Sequence, residues 1–251
     1  MLSDQQNQRY LRNIILPEIG EAGQIKLLSS KVLVVGAGGL GSAILLYLSA
    51  CGIGKIGIVD NDKVELSNLQ RQIIHNFQDL NSSKVISAKN KINYLDDSLK
   101  VDIFDLRADY ENLHLIAKDY DLIVDASDNF YTRFVINQTA HKLQKPMVYG
   151  AVKGFVGQVS VFKSYLGNNP CYACFNSNFV DKNFDLPLAQ KGILGAVAGN
   201  VGTLQAINVV KEILNLEESL VGKILFCDFL QNNFRKTILT KNLSCKICNN
   251  S

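Results

Sequence analysis

The stretch Lys31-Val-Leu-Val-Val-Gly-Ala-Gly-Gly-Leu-Gly41 constrains this chain more than any other. Its aliphatic half reads as a buried strand, and the glycines after it mark a tight turn into a helix. Gly36, Gly38 and Gly41 keep the spacing of a nucleotide phosphate site, with Gly39 in the same turn. Without a Cβ the backbone can turn sharply and approach phosphates closely. The helix beyond then offers its free N–H groups and positive dipole end to the anion. The run by itself specifies no more than a mononucleotide or a dinucleotide.

The rest of the chain supplies an alternating frame. Residues 4–14 and 21–30 read as short helices separated by Leu16-Pro17. After the first strand, Leu40, Ala43, Ile44, Tyr47, Leu48 and Cys51 repeat at helical spacing, which predicts a buried stripe and makes Cys51 a core residue. Lys55–Asp60 is a second strand. Helices are expected over 82–95, 109–118 and 130–144, with strands over 100–104, 120–126 and 146–151. Such a βαβα rhythm predicts a Rossmann-like, mostly parallel sheet with helices on both faces. Beyond Gly154, residues 158–162 alternate like an antiparallel strand, 196–214 form a long helix, and 223–229 and 233–240 form a strand pair. A single α/β domain is expected: N-terminal helices over 1–30, a nucleotide-binding half over 31–151, and an antiparallel extension over 152–251.

Bulk properties exclude several classes. At 251 residues the chain can bury one large core, and 47% hydrophobic with 20% charged residues is ordinary for a globular protein. A net charge of +3 without a basic run argues against nucleic acid. No apolar stretch approaches the roughly 20 residues of a membrane span, and the polar N-terminus resembles no targeting segment. A cytoplasmic protein is expected.

In that compartment the six cysteines stay reduced. Four form two CxxC pairs, Cys171/Cys174 and Cys245/Cys248, about 70 residues apart. This is ligand spacing for tetrahedral Zn²⁺, and four thiolates leave no position open for a substrate. The metal would be structural, stapling the C-terminus to the body of the fold. Disulfides or coincidence are the competing explanations.

Asp60 stands at the end of the second strand, where an acid can accept hydrogen bonds from ribose hydroxyls. Up to this point a nicotinamide-dependent oxidoreductase fits. Ser67-Asn-Leu-Gln-Arg-Gln72 and Lys84 then add groups suited to a triphosphate, with arginine giving two-point contacts and lysine a point charge. Taken singly, Arg71 and Lys84 also read as solvated surface cations. Asp125-Ala-Ser-Asp-Asn129 ends the fourth strand; its acids could hold Mg²⁺, and Asp128 could equally cap the following helix. His75, His114 and His141 read as scattered packing or surface residues, with none expected beside these motifs.

These motifs together resemble the bacterial MoeB/ThiF/HesA family, relatives of ubiquitin-activating enzymes. The similarity runs through Arg9-Tyr-Leu-Arg12, GAGGLG, Asp60, SNLQRQ, Lys84, Ser127-Asp-Asn129 with Arg133, GTLQA at 202–206 and both CxxC pairs. SNLQRQ is highly specific, whereas the glycine run alone is weak. The resemblance implies ATP and Mg²⁺, and adenylylation of the C-terminal carboxylate of a small ubiquitin-like sulfur carrier ending in Gly-Gly. It implies that Gly39 to Gly41 line the nucleotide and Asp60 holds ribose. Within Ser67, Asn68, Leu69, Gln70 and Arg71, it implies that Asn68, Gln70 and Arg71 contact phosphates, as does Lys84. Asp128 would bind Mg²⁺ with Asn129 beside it. It also implies a homodimer in which Arg12 reaches the partner's site. A carboxylate nucleophile is already ionised, so no general base is required.

The chain departs from the family at Leu188, where many members carry a cysteine. Leucine forms no thioester, so the enzyme is expected to stop at the adenylate and pass it to a separate sulfur-donor protein. No rhodanese segment is expected beyond Ser251, so the donor is expected to be another protein. MoaD-type and ThiS-type carriers, a peptide carboxylate, and a non-catalytic nucleotide-dependent module all remain open on the sequence.

Overall fold

Every residue of β1 (Lys31–Val35) except the first is buried, because its two faces meet two different cores. Val32 and Val34 point into one cluster, and Leu33 and Val35 into the other. A strand covered on both sides needs an unbroken apolar run rather than alternation. The computed structural model describes residues 1–176 and 192–249.

The parallel part comprises β1, β2 (Lys55–Val59), β3 (Lys100–Phe104), β4 (Leu122–Asp125) and β5 (Met147–Lys153). Three antiparallel strands extend it: β6 (Val156–Phe162), β7 (Lys223–Asp228) and β8 (Asn233–Ile238). The eight form one sheet in the order β3-β2-β1-β4-β5-β6-β7-β8. This is the mixed α/β architecture that the alternating pattern predicts.

Helices α2 (Gly20–Ser29), α3 (Gly39–Ala50), α4 (Lys84–Leu95) and α8 (Gly195–Leu214) supply apolar side chains to the first cluster, while α5 (Tyr110–Ala117), α6 (Phe130–Lys142) and the short α7 (Tyr172–Phe175) supply the second. Helix α1 (Asp4–Ile14) begins at a capping box in which Ser3 and Gln6 satisfy each other's backbone N–H. Its Tyr10 is buried.

One expectation about α3 is overturned. Helical spacing puts Tyr47 on the buried stripe, yet it is 59% exposed. The buried surface instead spans Leu40 to Leu45, Leu48 and Ser49, since the helix packs against both the sheet side and α8. Cys51 closes α3 half-buried, its Sγ donating to the Leu48 carbonyl. Burial pushes that thiol up to about 12, as suits a packing residue. Cys227 is fully buried on β7. Leu188 lies outside the described residues. Among the described residues, no helix is long and apolar enough to cross a membrane.

Candidate active site

The sheet order reverses between β1 and β4: the chain leaves β1 toward β2 on one side, while β4 and β5 lie on the other. Loops leaving the carboxyl ends of two such strands diverge and open a crevice. A cavity of about 550 Å³ occupies this position.

Its floor is the glycine turn. Gly36 has φ +106°, and a Cβ there would sit 2.5 Å from the Ala126 carbonyl, so the turn lies directly against the loop after β4. A side chain at Gly41 would strike the Gly36 carbonyl. Gly41 therefore works by letting the turn close, and it does not itself line the cavity, whereas Gly36, Gly38 and Gly39 do. The turn feeds α3, whose first N–H groups have no partner within the helix.

Asp60 lines the cavity just past β2. Its Oδ2 accepts the Ala37 N–H at 2.7 Å and its Oδ1 the Asp62 N–H at 2.9 Å. Burial raises its pKa above the usual carboxylate range, opposed by Lys84 and by those two N–H groups. Each oxygen retains lone-pair capacity toward the cavity. Lys84, the first residue of α4, is buried, lines the cavity, and pairs with Asp62 at 2.8 Å. Being bound to a mostly exposed acid, its ammonium can exchange that partner for an anion in the crevice.

The SNLQRQ segment divides by role. Gln70, Arg71 and Gln72 line the cavity. Arg71 donates from Nη1 to the Ser67 carbonyl at 3.0 Å, and a side chain at Gly39 would lie 3.6 Å from its Cγ. Asn68 is buried, its Oδ1 accepting the Glu65 N–H to hold the turn at Leu66–Asn68. Ser67, Asn68 and Leu69 stand behind the cavity wall rather than on it. Arg12, exposed on α1, is not brought to the cavity by this chain.

The loop after β4 separates its two acids. Asp125 is fully buried and faces Arg133, with Arg133 Nε 3.8 Å from Asp125 Oδ2. Its Oδ1 accepts the Ser127 hydroxyl at 2.6 Å and the Ser127 N–H at 3.0 Å. Asp125 is thus turned away from the cavity, and Asp128 is the exposed acid that lines it. The alternative that Asp128 caps the next helix does not hold. Asn129 is the N-cap of α6, its Oδ1 accepting the Thr132 N–H at 2.9 Å. Among the described residues, no hydrogen bond or ion pair occupies Asp128. One accessible carboxylate opening on this crevice fits the hard-oxygen preference of Mg²⁺, which takes one or two carboxylates plus phosphates.

Two groups on the cavity wall, and one behind the glycine turn, escaped sequence reasoning. Arg107 and Lys153 line the cavity, at the ends of β3's following loop and of β5; no motif marks either. The expectation that no histidine stands beside the motifs is also overturned. His75 is buried against the glycine turn, with Nε2 2.9 Å from the Ala37 carbonyl. Its place directly after Gln72-Ile-Ile was the available signal.

Away from the crevice, Cys171, Cys174, Cys245 and Cys248 converge, all four sulfurs lying within 4.8 Å of one another. Tetrahedral Zn–S bonds of about 2.3 Å imply sulfur separations of about 3.8 Å. The observed 3.9, 3.6 and 3.4 Å match that donor set, and all four cysteines are free of disulfides. Burial raises the Cys171 thiol well above its ordinary range, a cost that a divalent cation reverses.

Comparison with known proteins bears on this geometry. The model of the ThiF family matches residues 10–247. A sulfur carrier protein adenylyltransferase of Thermus thermophilus is 39% identical over 243 residues, covering 96% of this chain and 90% of its own. A SAMP-activating enzyme E1 of Haloferax volcanii is 38% identical over 243 residues, covering 97% of this chain and 89% of its own. Among solved structures, E. coli MccB with MccA-N7isoASN superposes with a TM-score of 0.83 over 99% of this chain and 76% of that one. At 23% identity that likeness speaks for the fold alone.

Proposed function

The chain belongs to the ThiF family, and on that premise we propose that it is an ATP-dependent adenylyltransferase that activates a small ubiquitin-like sulfur carrier. The observation that carries this reading is the gathering of Asp60, Arg71, Lys84 and Asp128 around one glycine turn in one crevice. The relatives named for sulfur-carrier and SAMP activation support the substrate class. A nicotinamide enzyme would use the glycine turn and Asp60 but leave Arg71, Lys84 and Asp128 without a task.

In the proposed reaction the C-terminal carboxylate of the carrier attacks the α-phosphorus of ATP. A carboxylate O–P bond forms, the bond from the α-phosphorus to the bridging oxygen breaks, and pyrophosphate leaves with that electron pair. The product is an acyl-adenylate. Two anions meet in this step, so the barrier falls chiefly through positive charge collected at the phosphates. Arg71 and Lys84 supply it from this chain, the α3 N-terminus adds its dipole, and Asp60 holds the ribose. Asp128 would hold Mg²⁺, which neutralises phosphate charge when bound. Arg12 completes the site of a second copy in a homodimer. The carrier's tail ends in Gly-Gly because a side chain would obstruct an extended approach to the nucleotide. A MoaD-type or ThiS-type carrier, a cytoplasmic setting and a separate sulfur donor complete the proposal.

Pyrophosphate exchange into ATP, dependent on a Gly-Gly carrier, tests it. R71A and D128A are expected to lose exchange by about 100-fold or more, the size of removing one preorganised charge-stabilising group, while unfolding at wild-type temperatures. Undiminished exchange in both variants would sink the assignment.

A further inference from the structure

The glycine turn has a weakness built into it. Gly36 and Gly38 flank Ala37, and glycine has the widest backbone freedom of any residue, so local sequence alone does not fix how the Ala37 peptide is oriented. Its orientation sets where the following N–H groups, those of Gly38, Gly39 and Leu40, point. The structure holds the peptide groups on both sides of Ala37. Asp60 Oδ2 accepts the N–H of the Gly36–Ala37 peptide at 2.7 Å, and His75 Nε2 meets the carbonyl of the Ala37–Gly38 peptide at 2.9 Å.

Chemistry decides the state of His75. A carbonyl can only accept, so Nε2 carries the proton; Nδ1 of the neutral ring then accepts from the Ser87 hydroxyl at 2.8 Å. Burial favours that neutral ring, as do Lys84 and Lys91, against the Ala37 carbonyl and Asp79. Ser87 lies one helical turn beyond Lys84 on α4 and is buried. One imidazole therefore connects the turn that meets phosphate to the helix that carries the phosphate-facing lysine.

We infer that His75 is a positioning residue for nucleotide binding: its Nε2–H fixes the Ala37 peptide so that the glycine turn is set for phosphate before ATP arrives. The inference rests on the nucleotide reading given above. It adds that the ordering cost of a glycine-rich turn is met in advance by a histidine outside the turn.

Two polar replacements separate this role from plain packing. In H75Q the amide nitrogen reaches the place of Nε2 and can still donate to Ala37. In H75N it reaches only the place of Nδ1, which leaves the Ala37 carbonyl without a donor. MgATP affinity of the full chain is measured by calorimetry, with thermal unfolding midpoints alongside. H75Q is expected to bind MgATP within about threefold of wild type and H75N about tenfold or more weakly, the size of one buried acceptor left unpaired. H75L repeats the loss without a buried amide. Equal MgATP affinity in wild type, H75N and H75L overturns the inference, as does a loss in H75Q as large as in H75N. A wild-type chain that does not bind MgATP overturns the nucleotide reading itself, and the inference with it.

Discussion

At the end of β4 an ion pair is almost wholly buried, with Arg133 reaching the crevice wall. Asp125 has no exposure, Arg133 is 7% exposed, and the facing atoms Oδ2 and Nε have no hydrogen-bond partner. Burial raises the Asp125 carboxyl to about 6, against the pull of Arg133 and the two Ser127 hydrogen bonds, with Asp128 pushing the same way as burial. An unfolded aspartate titrates near 4. Between those values the folded state binds more protons than the unfolded state, so this group's contribution to stability falls as pH rises. The contribution is fully present below about pH 4 and lost through about pH 6. D125N removes the titration. The unfolding free energy of wild type minus that of D125N should therefore decline between about pH 4 and pH 6 and level off above; a difference that rises across the window contradicts the assignment. The burial of Asp125 was not legible in the DASDN string, even though the family resemblance singles out Asp128. The pleat of β4 distinguishes them: Asp125 ends the strand turned inward, while Asp128 sits beyond it in the loop. Asp60 and the glycines were legible because their requirement is local, a turn and a strand end. His75 was not, because its partner Ala37 is distant in sequence.

Elements bring those residues together, and α8 does much of it. Gly202 lets α8 approach α3 closely: a Cβ there would sit 2.5 Å from the Leu40 carbonyl and 3.0 Å from the Ala43 Cβ. Three residues on, Gln205 Nε2 donates to the Asp125 carbonyl at 2.7 Å, tying α8 to the end of β4. Gly195, at the start of α8, has room only for hydrogen against the Gln70 carbonyl. GTLQA thus has a packing meaning: a glycine for helix contact and a glutamine for the sheet. G202V should force the helices apart and cost about 1–3 kcal/mol, lowering the melting temperature by several degrees. Because the displaced atoms belong to the first turn of α3, MgATP should also raise that temperature less than it does in wild type. An unchanged melting temperature would show that α3 and α8 yield freely. Element positions were largely readable, since long helices and buried strands follow hydrophobic periodicity. Tyr47 misled because the buried arc of α3 runs through Leu40–Leu45, Leu48 and Ser49, and Tyr47 falls outside it. The four-residue α7 is too short to show any period.

At the scale of the whole molecule the CxxC pairs join parts that the sheet leaves apart. Cys171 caps the start of α7 and Cys174 lies within it, beside α6, while Cys245 and Cys248 belong to the segment after β8, an edge strand exposed along its length. That segment has little apolar surface of its own to bury: Leu243 is 78% exposed, and its buried side chains are the cysteines. The spacing made the four ligands legible, but only the fold brings the two halves together. With the core built elsewhere, a metal held by these four thiols would act as a clamp on the C-terminal segment rather than as the nucleus of folding, unlike zinc fingers that unfold outright without it. One Zn²⁺ per chain is expected by mass spectrometry of the metal. C245S or a strong chelator should remove it, expose residues beyond β8 to protease first, and lower the melting temperature while far-ultraviolet circular dichroism stays close to wild type. Loss of the whole circular dichroism signal on chelation would make the metal essential to the core. Four thiols that fail to react under denaturing conditions, with no metal present, would replace the clamp by disulfides.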